Sequence, residues 1–73
     1  MVKINDRLKE LRKSKKITQR QVCTAIGVSE SNYQFFEYGK VRPSHDNIIK
    51  LADFFDVSTD YLLGRTDRPE VLK

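Results

Sequence analysis

Side chains able to do covalent or metal chemistry are few in this sequence and stand far apart. It has one cysteine, Cys23, and one histidine, His45, with no CxxC motif or Cys/His cluster at zinc spacing. No Ser/His/Asp set has a structural context, and the sequence contains no glycine-rich loop that could cradle a phosphate. A helical chain of 73 residues would also struggle to enclose a sizeable pocket. We therefore expect a protein that is not an enzyme and that uses no cofactor and no metal.

The chemistry that the sequence does offer is ionic, and the charges are unevenly placed. The first 20 residues carry eight Lys and Arg against two carboxylates, whereas residues 46–64 carry one lysine against four aspartates. The formal net charge is +4, so a polyanion would prefer the N-terminal face. The alternative is that these cations form the solvated side of a helix.

Length and composition indicate one small domain. The chain is 38% apolar, which is enough for a core, and a single cysteine cannot form an internal disulfide, so stability must come from packing. That arrangement fits a reducing cytoplasm. The longest apolar run, at residues 61–63, is far too short to span a membrane.

Apolar spacing and capping residues divide the chain into five short helices with no strand. The expected N-caps are Asn5 or Asp6, Thr18, Ser29, Ser44 and Ser58. Gly27 and Gly39 supply the positive φ that ends the second and third helices. Residues 65–73 lack periodicity and are expected to form a loose tail.

The second and third helices, within residues 19–38, meet the steric demands of a helix-turn-helix. Cys23 is small enough to sit where the two helices cross, and Gly27 lies in the turn. Apolar anchors for both helices are present at Val22, Ile26, Val28, Tyr33 and Phe36. Seven suitable residue types in twenty positions are hard to reach by chance.

A series of short motifs runs in order through residues 4–64. The motifs are Arg7-Leu8-Lys9-Glu10-Leu11-Arg12, Ile17-Thr18-Gln19, Gly27-Val28-Ser29, Glu37-Tyr38-Gly39-Lys40, Pro43-Ser44, Leu51-Ala52, Val57-Ser58 and Asp60-Tyr61-Leu62-Leu63-Gly64. The series resembles the Xre/Cro family of phage-repressor-type regulators. The resemblance implies an all-α, compact five-helix lambda-repressor-like domain at residues 4–64. It also implies a cytoplasmic bacterial or phage regulator that binds a double-stranded DNA operator as a homodimer and represses transcription.

The resemblance assigns phosphate contacts to side chains near the ends of the second and third helices. These residues are Arg12, Thr18, Gln19, Asn32, Lys40 and Arg42. It also pairs Arg12 with Glu37 in an ion pair that fixes the angle between helices and orients the arginine. The alternative is that Gln19 is a solvated capping residue and that Lys40 and Arg42 are merely exposed loop cations.

The third helix is expected to read bases in the major groove. Its outward residues are Glu30, Ser31, Gln34 and Phe35. Glu30 can accept from cytosine N4, Ser31 and Gln34 can bond several base edges, and Phe35 can pack on thymine methyls. The helix has two carboxylates and no cation, which departs from the commoner family pattern and leaves affinity to flanking cations.

Cys23 and His45 could each be interpreted as a functional residue, but we favour a structural role for both. A buried thiol at the helix crossing is expected to be inert rather than a redox switch. His45 stands where the family usually has an apolar residue, so it is expected to be half-buried rather than a pH sensor or ligand.

A protein-interaction module is the competing function. Some domains of this fold act as antitoxins or anti-repressors that bind protein, and exposed Phe35 and Tyr38 favour that alternative. Gln19, Lys40 and Arg42 favour DNA. For a dimer, the expected contact surface is the C-terminal part, with apolar area from Tyr61, Leu62, Leu63, Val71 and Leu72.

Overall fold

The computed structural model describes residues 3–70, and the regular secondary structure of that range is entirely helical. The helices are α1 (Ile4–Ser14), α2 (Gln19–Ile26), α3 (Glu30–Tyr38), α4 (His45–Phe55) and α5 (Thr59–Leu62). The predicted all-α architecture of five helices is confirmed.

Side-chain caps begin four of the five helices. The hydroxyls of Thr18, Ser29, Ser44 and Ser58 each accept a hydrogen bond from a backbone N–H at the third helical position. The first helix differs, because Lys3 is its N-cap and provides no side-chain hydrogen bond. The prediction of Asn5 or Asp6 as its cap is therefore wrong. Asn5 lies inside the first turn, where its amide nitrogen is 3.2 Å from the position that a Cβ at Gly39 would occupy.

A single core joins all five helices. Its most enclosed side chains, at most 1% exposed, come from every helix: Leu8, Val22, Tyr33, Leu51, Phe55 and Leu62. Burying each such side chain contributes about 1.5–3 kcal/mol relative to exposing it. This core holds α2 and α3 against the rest of the molecule and fixes which face of α3 remains outside.

The turn between α2 and α3 is short and closed by backbone hydrogen bonds. Gly27 has a left-handed φ of 77°, and its N–H and that of Val28 both bond to the carbonyl of Cys23. A Cβ at Gly27 would meet nothing within 4 Å, so glycine is required there by conformation rather than by space. Ser29 then caps α3 at once. The predicted helix-turn-helix is formed by these residues.

The C-terminal segment is attached to the body as far as Pro69. Buried Arg7 donates its Nε to the carbonyl of Tyr61 (3.1 Å), and its guanidinium lies 3.9 Å above the Tyr61 ring. Arg7 also pairs with Asp67 at 3.4 Å, and the Ser58 N–H bonds to the carbonyl of Pro69. Residues 65–69 thus differ from the loose tail expected, because a buried guanidinium requires partners.

The structure differs from the sequence-based expectations at His45 and at the expected dimer contact surface. His45 is exposed rather than half-buried, because it is the first residue of α4, directly after the Ser44 cap, and faces solvent. Leu62 is fully buried and Tyr61 is covered by Arg7, so neither offers much area to a partner. Val71 and Leu72 lie outside the described residues.

The burial of Cys23 predicts how a larger or smaller side chain at this position would affect stability. Cys23 is 5% exposed and belongs to the core, so Cys23→Leu should overpack the crossing and lower the free energy of unfolding by about 1–3 kcal/mol. Cys23→Ala should have a smaller effect. Urea titration of the two variants measures both, and a Leu variant as stable as the parent would contradict the packing described.

Candidate nucleic-acid interface

The third helix has one buried face and one exposed face. Tyr33, Phe36 and Glu37 are buried, as expected for the first two. The opposite face carries Ser31, Gln34, Phe35 and Tyr38, whose spacing of three, four and seven residues aligns them along one side of the helix. Phe35 is 41% exposed and Tyr38 57%. The outer face therefore offers a hydroxyl, an amide and two aromatic rings.

Glu37 anchors the buried face of α3 through a set of donors from α1 and α2. Its side chain is only 1% exposed, and it accepts from Arg12 Nε at 2.6 Å and from Arg12 Nη2 at 3.2 Å. Gln19 donates its amide to the same carboxylate at 3.3 Å. The structure thus brings Arg12, Gln19 and Glu37 together in one hydrogen-bonded group, which we call the Glu37 cluster.

Opposing effects set the ionisation of Glu37. Burial alone would raise its pKa, but the hydrogen bonds from Arg12 and Gln19 and the positive charge of Arg12 outweigh burial and lower the pKa below its ordinary value of 4.5. Burial beside this carboxylate also raises the pKa of Tyr33, whose hydroxyl has no partner at normal hydrogen-bond geometry among the described residues. Glu37 is therefore ionised at neutral pH.

The Glu37 cluster limits what Arg12 and Gln19 can offer a phosphate. Arg12 uses three nitrogens on internal acceptors, because its Nη1 also donates to the Ile17 carbonyl at 3.1 Å. A guanidinium has five N–H donors, so at least two stay available at a side chain that is 17% exposed. Gln19 is half-buried and keeps its second amide N–H.

The remaining residues predicted to contact phosphate lie near the N-terminus of α2 and near the two ends of α3. Lys40 and Arg42 are exposed in the loop after α3, while Pro43 beside them is buried. Asn32 is half-buried in the first turn of α3. Thr18 is exposed, and its hydroxyl accepts from the Gln21 N–H, which leaves its own proton free to donate.

Sequence reasoning missed Arg20. This residue follows Gln19 in the first turn of α2, and its Nε lies 3.5 Å from Glu30 Oε1 at the start of α3. The pair crosses the turn between the two helices, with side chains 81% and 42% exposed. The available signal was the presence of opposite charges at the first turns of two helices that a helix-turn-helix brings together.

Comparison with known protein families identifies the family of this helix-turn-helix domain. The family described as helix-turn-helix, of Xre-like type, matches residues 8–62, which include α2, the turn and α3. The chain belongs to the Xre-type helix-turn-helix family. This result confirms the resemblance seen in the sequence motifs.

Relatives within the Xre-type family are regulators of bacteria and phages. The chain is 42% identical over 64 residues to YobD, an uncharacterized HTH-type transcriptional regulator of Bacillus subtilis, covering 88% of this chain and 57% of the relative. It is 39% identical to RstR, a cryptic phage CTXphi transcriptional repressor of Vibrio cholerae, with the same coverage. The chain thus spans little more than half the length of these relatives.

A solved structure supports the same relationship at the level of the fold. The P22 c2 repressor, in complex with a synthetic operator, superposes with a TM-score of 0.81 at 28% identity. The match covers 86% of this chain and 96% of that one. Residues 3–70 contain no helix that is long and apolar enough to cross a membrane. They also bring together no group of three potential metal ligands.

The lowered pKa of Glu37 gives a prediction about stability and pH. Its ionised form stabilises the fold above the ordinary carboxyl pKa of 4.5, and that stabilisation disappears as the pH falls through the lower folded value. Glu37→Gln removes the counter-charge of Arg12, whose side chain is only 17% exposed, and should lower the free energy of unfolding by about 3 kcal/mol at pH 7. The difference in free energy of unfolding between variant and parent should decrease steadily below pH 4.5. Urea unfolding at a series of pH values measures this difference.

A surface carboxylate provides the matched control for this experiment. Glu10 is 64% exposed and lies 3.9 Å from Arg7, so Glu10→Gln should change stability by less than about 0.5 kcal/mol. If the cost of Glu37→Gln stayed constant from pH 7 to pH 2.5, the pKa of this carboxylate would not be lowered in the folded state.

Proposed function

We propose that this chain is the DNA-binding part of a transcriptional repressor, which reads an operator in the major groove with α3. The observation that carries the proposal is the two-faced α3, because its buried side is fixed by Glu37 while its outer side is exposed and hydrogen-bonding. In helix-turn-helix proteins such a second helix enters the major groove. YobD and RstR, a regulator and a repressor, support the transcriptional role, and the operator complex of the P22 c2 repressor supports double-stranded DNA as the partner. The protein would then act in the cytoplasm of a bacterium.

Phosphate contacts would hold the domain in register on the duplex. Lys40 and Arg42 follow α3 in an exposed loop, and the N-terminus of α2 presents free backbone N–H groups beside Thr18 and Gln19. These groups would contact backbone phosphates on either side of the groove that α3 enters. Arg12 would contribute through the N–H groups that Glu37 and Ile17 do not use. Such contacts position the protein without reading sequence.

Base contacts would come from the outer face of α3. Ser31 and Gln34 would hydrogen-bond to base edges, and Phe35 would pack against thymine methyl groups. Asn32 lies at the border of this face, nearer the phosphates. Tyr38 extends the same face by one turn and would pack on the sugar–phosphate backbone. This surface carries no cation, so affinity would depend on the flanking residues.

A mobility-shift assay tests the phosphate assignment through its salt dependence. Duplexes are first recovered from a random pool with the parent chain, and affinity is then measured between about 50 and 200 mM salt. Lys40→Ala and Arg42→Ala should each weaken binding to all duplexes by a similar factor and reduce the salt slope by about one unit.

Lys50 is the matched control, because it is an exposed cation on α4 among aspartates. Lys50→Ala should leave the slope unchanged. If Arg42→Ala or Lys40→Ala changed base preference while keeping the slope, its assignment to phosphate would be wrong. A parent chain that recovers no sequence but captures protein would favour the interaction-module function.

Two copies would bind a two-fold operator. One module buries only about 600–1,000 Å² of protein surface on DNA, and half-sites one helical turn apart would double that contact. An apolar groove of about 450 Å³ next to the α3–α4 loop is suited to pairing. Its apolar lining includes Ile4, Phe36, Val41 and Leu63. Val41 is 43% exposed and adjoins Arg42.

The dimer is tested by stoichiometry on the recovered operator. Val41→Ser should raise the protein concentration needed to fill both half-sites and make the binding curve less steep. Ile49→Ser is the control, because Ile49 has a similar exposure of 41% but lies on α4 outside the groove. A footprint in which one monomer protects a single unrepeated site at full affinity would contradict the proposal.

A further inference from the structure

The ion pair between Arg20 and Glu30 joins the two helices of the motif at their N-terminal ends. Arg20 is the second residue of α2 and Glu30 is the first residue of α3, and the Nε–Oε1 distance is 3.5 Å. No hydrogen bond from the guanidinium of Arg20 is formed within residues 3–70. The cation therefore lies at the N-terminal end of α3, where its only recorded partner within the described residues is Glu30.

Stability does not explain this pair. Arg20 is 81% exposed and Glu30 is 42% exposed, and exposed ion pairs at such a distance add little to the free energy of folding. The Arg12–Glu37 pair, by contrast, is largely enclosed and has two hydrogen bonds, of 2.6 and 3.2 Å. An exposed arginine held loosely by one carboxylate remains available to a ligand.

We propose that Arg20 is a base-reading residue that recognises a guanine, and that Glu30 is its positioning residue. The inference rests on the proposed function, since it requires that α3 enter the major groove. It adds a cation from α2 to a reading surface whose own helix has none. It also changes the role of Glu30 from an acceptor for cytosine to a guide for Arg20.

The chemistry of the two side chains supports guanine rather than phosphate. Glu30 approaches Arg20 through Nε, so the two terminal nitrogens remain free to form the fork that matches guanine O6 and N7. Residues at the N-terminal end of a recognition helix contact base edges, and Glu30 holds Arg20 at that end of α3. Arg20 also offsets the repulsion between the Glu30 carboxylate and DNA.

The experiment compares base preference among variants of the whole chain. Duplexes are recovered from a random pool by the parent, and each position of the recovered site is then changed singly. The parent should require a guanine at the edge of its half-site. For Arg20→Ala that preference should fall by roughly 5- to 150-fold, while preferences at the other positions persist.

Two conservative variants separate the fork from the charge and test the positioning role. Arg20→Lys keeps the charge but lacks the planar fork, so it should retain affinity for unrelated DNA and lose most of the guanine preference. Glu30→Gln should weaken the guanine preference while raising affinity for unrelated duplexes, because one negative charge near the phosphates is removed. Arg68→Ala is the control, since this exposed arginine lies away from α2 and α3 beside Asp53 and Asp60.

Other results of these binding measurements would each overturn one part of the proposal for Arg20 and Glu30. An Arg20→Ala variant that binds every duplex more weakly by the same factor, with a smaller salt slope, assigns Arg20 to phosphate and overturns its reading role. A Glu30→Gln variant with unchanged guanine preference overturns the positioning role. If the parent selects a sequence and Arg20→Ala selects the same one, only this inference fails. If the parent selects none, the proposed function fails with it.

Discussion

The buried contact between Arg12 and Glu37 is the constraint on which the arrangement of the motif depends. Glu37 is the penultimate residue of α3 and faces inward, where an unpaired carboxylate would carry a large desolvation cost. Arg12 of α1 and Gln19 of α2 supply its donors. The carboxylate thus contacts both helices and, together with core residues Tyr33 and Phe36, holds the buried face of α3 against the rest of the domain.

This constraint has a consequence for how the domain can hold DNA. A buried ion pair is weak evidence for stability, because an apolar group of similar size can do as well, but it fixes geometry. In exchange, the N–H groups of Arg12 and Gln19 that bond to Glu37 are not available to phosphate, and only their remaining N–H groups are. Since α3 has no cation of its own, the proposed binding would draw on the exposed cations near its two ends, Lys40 and Arg42 after it and Arg20 before it.

The boundaries of α2 and α3 were predictable from the sequence because their causes are local. Thr18 and Ser29 cap the backbone three residues ahead, and Gly27 needs only its own φ, so α2 and α3 begin and end where their residues indicate. The contact between Arg7 and Asp67, by contrast, joins residues 60 positions apart in the sequence, and hydrophobic periodicity carries no information about such contacts. The Arg20–Glu30 pair similarly requires the crossing of two helices to be known. What sequence could not supply was distance between elements.

The residues on the outer face of α3 have a different role from those on its buried face. Phe35 and Tyr38 leave large aromatic surfaces in water, although the core of this small domain could gain from apolar area. Exposed aromatic rings on a face rimmed by polar groups are typical of a binding surface. Neither ring belongs to the Glu37 cluster. Under the proposed function, one set of residues therefore holds α3 in place and a different set would read the operator.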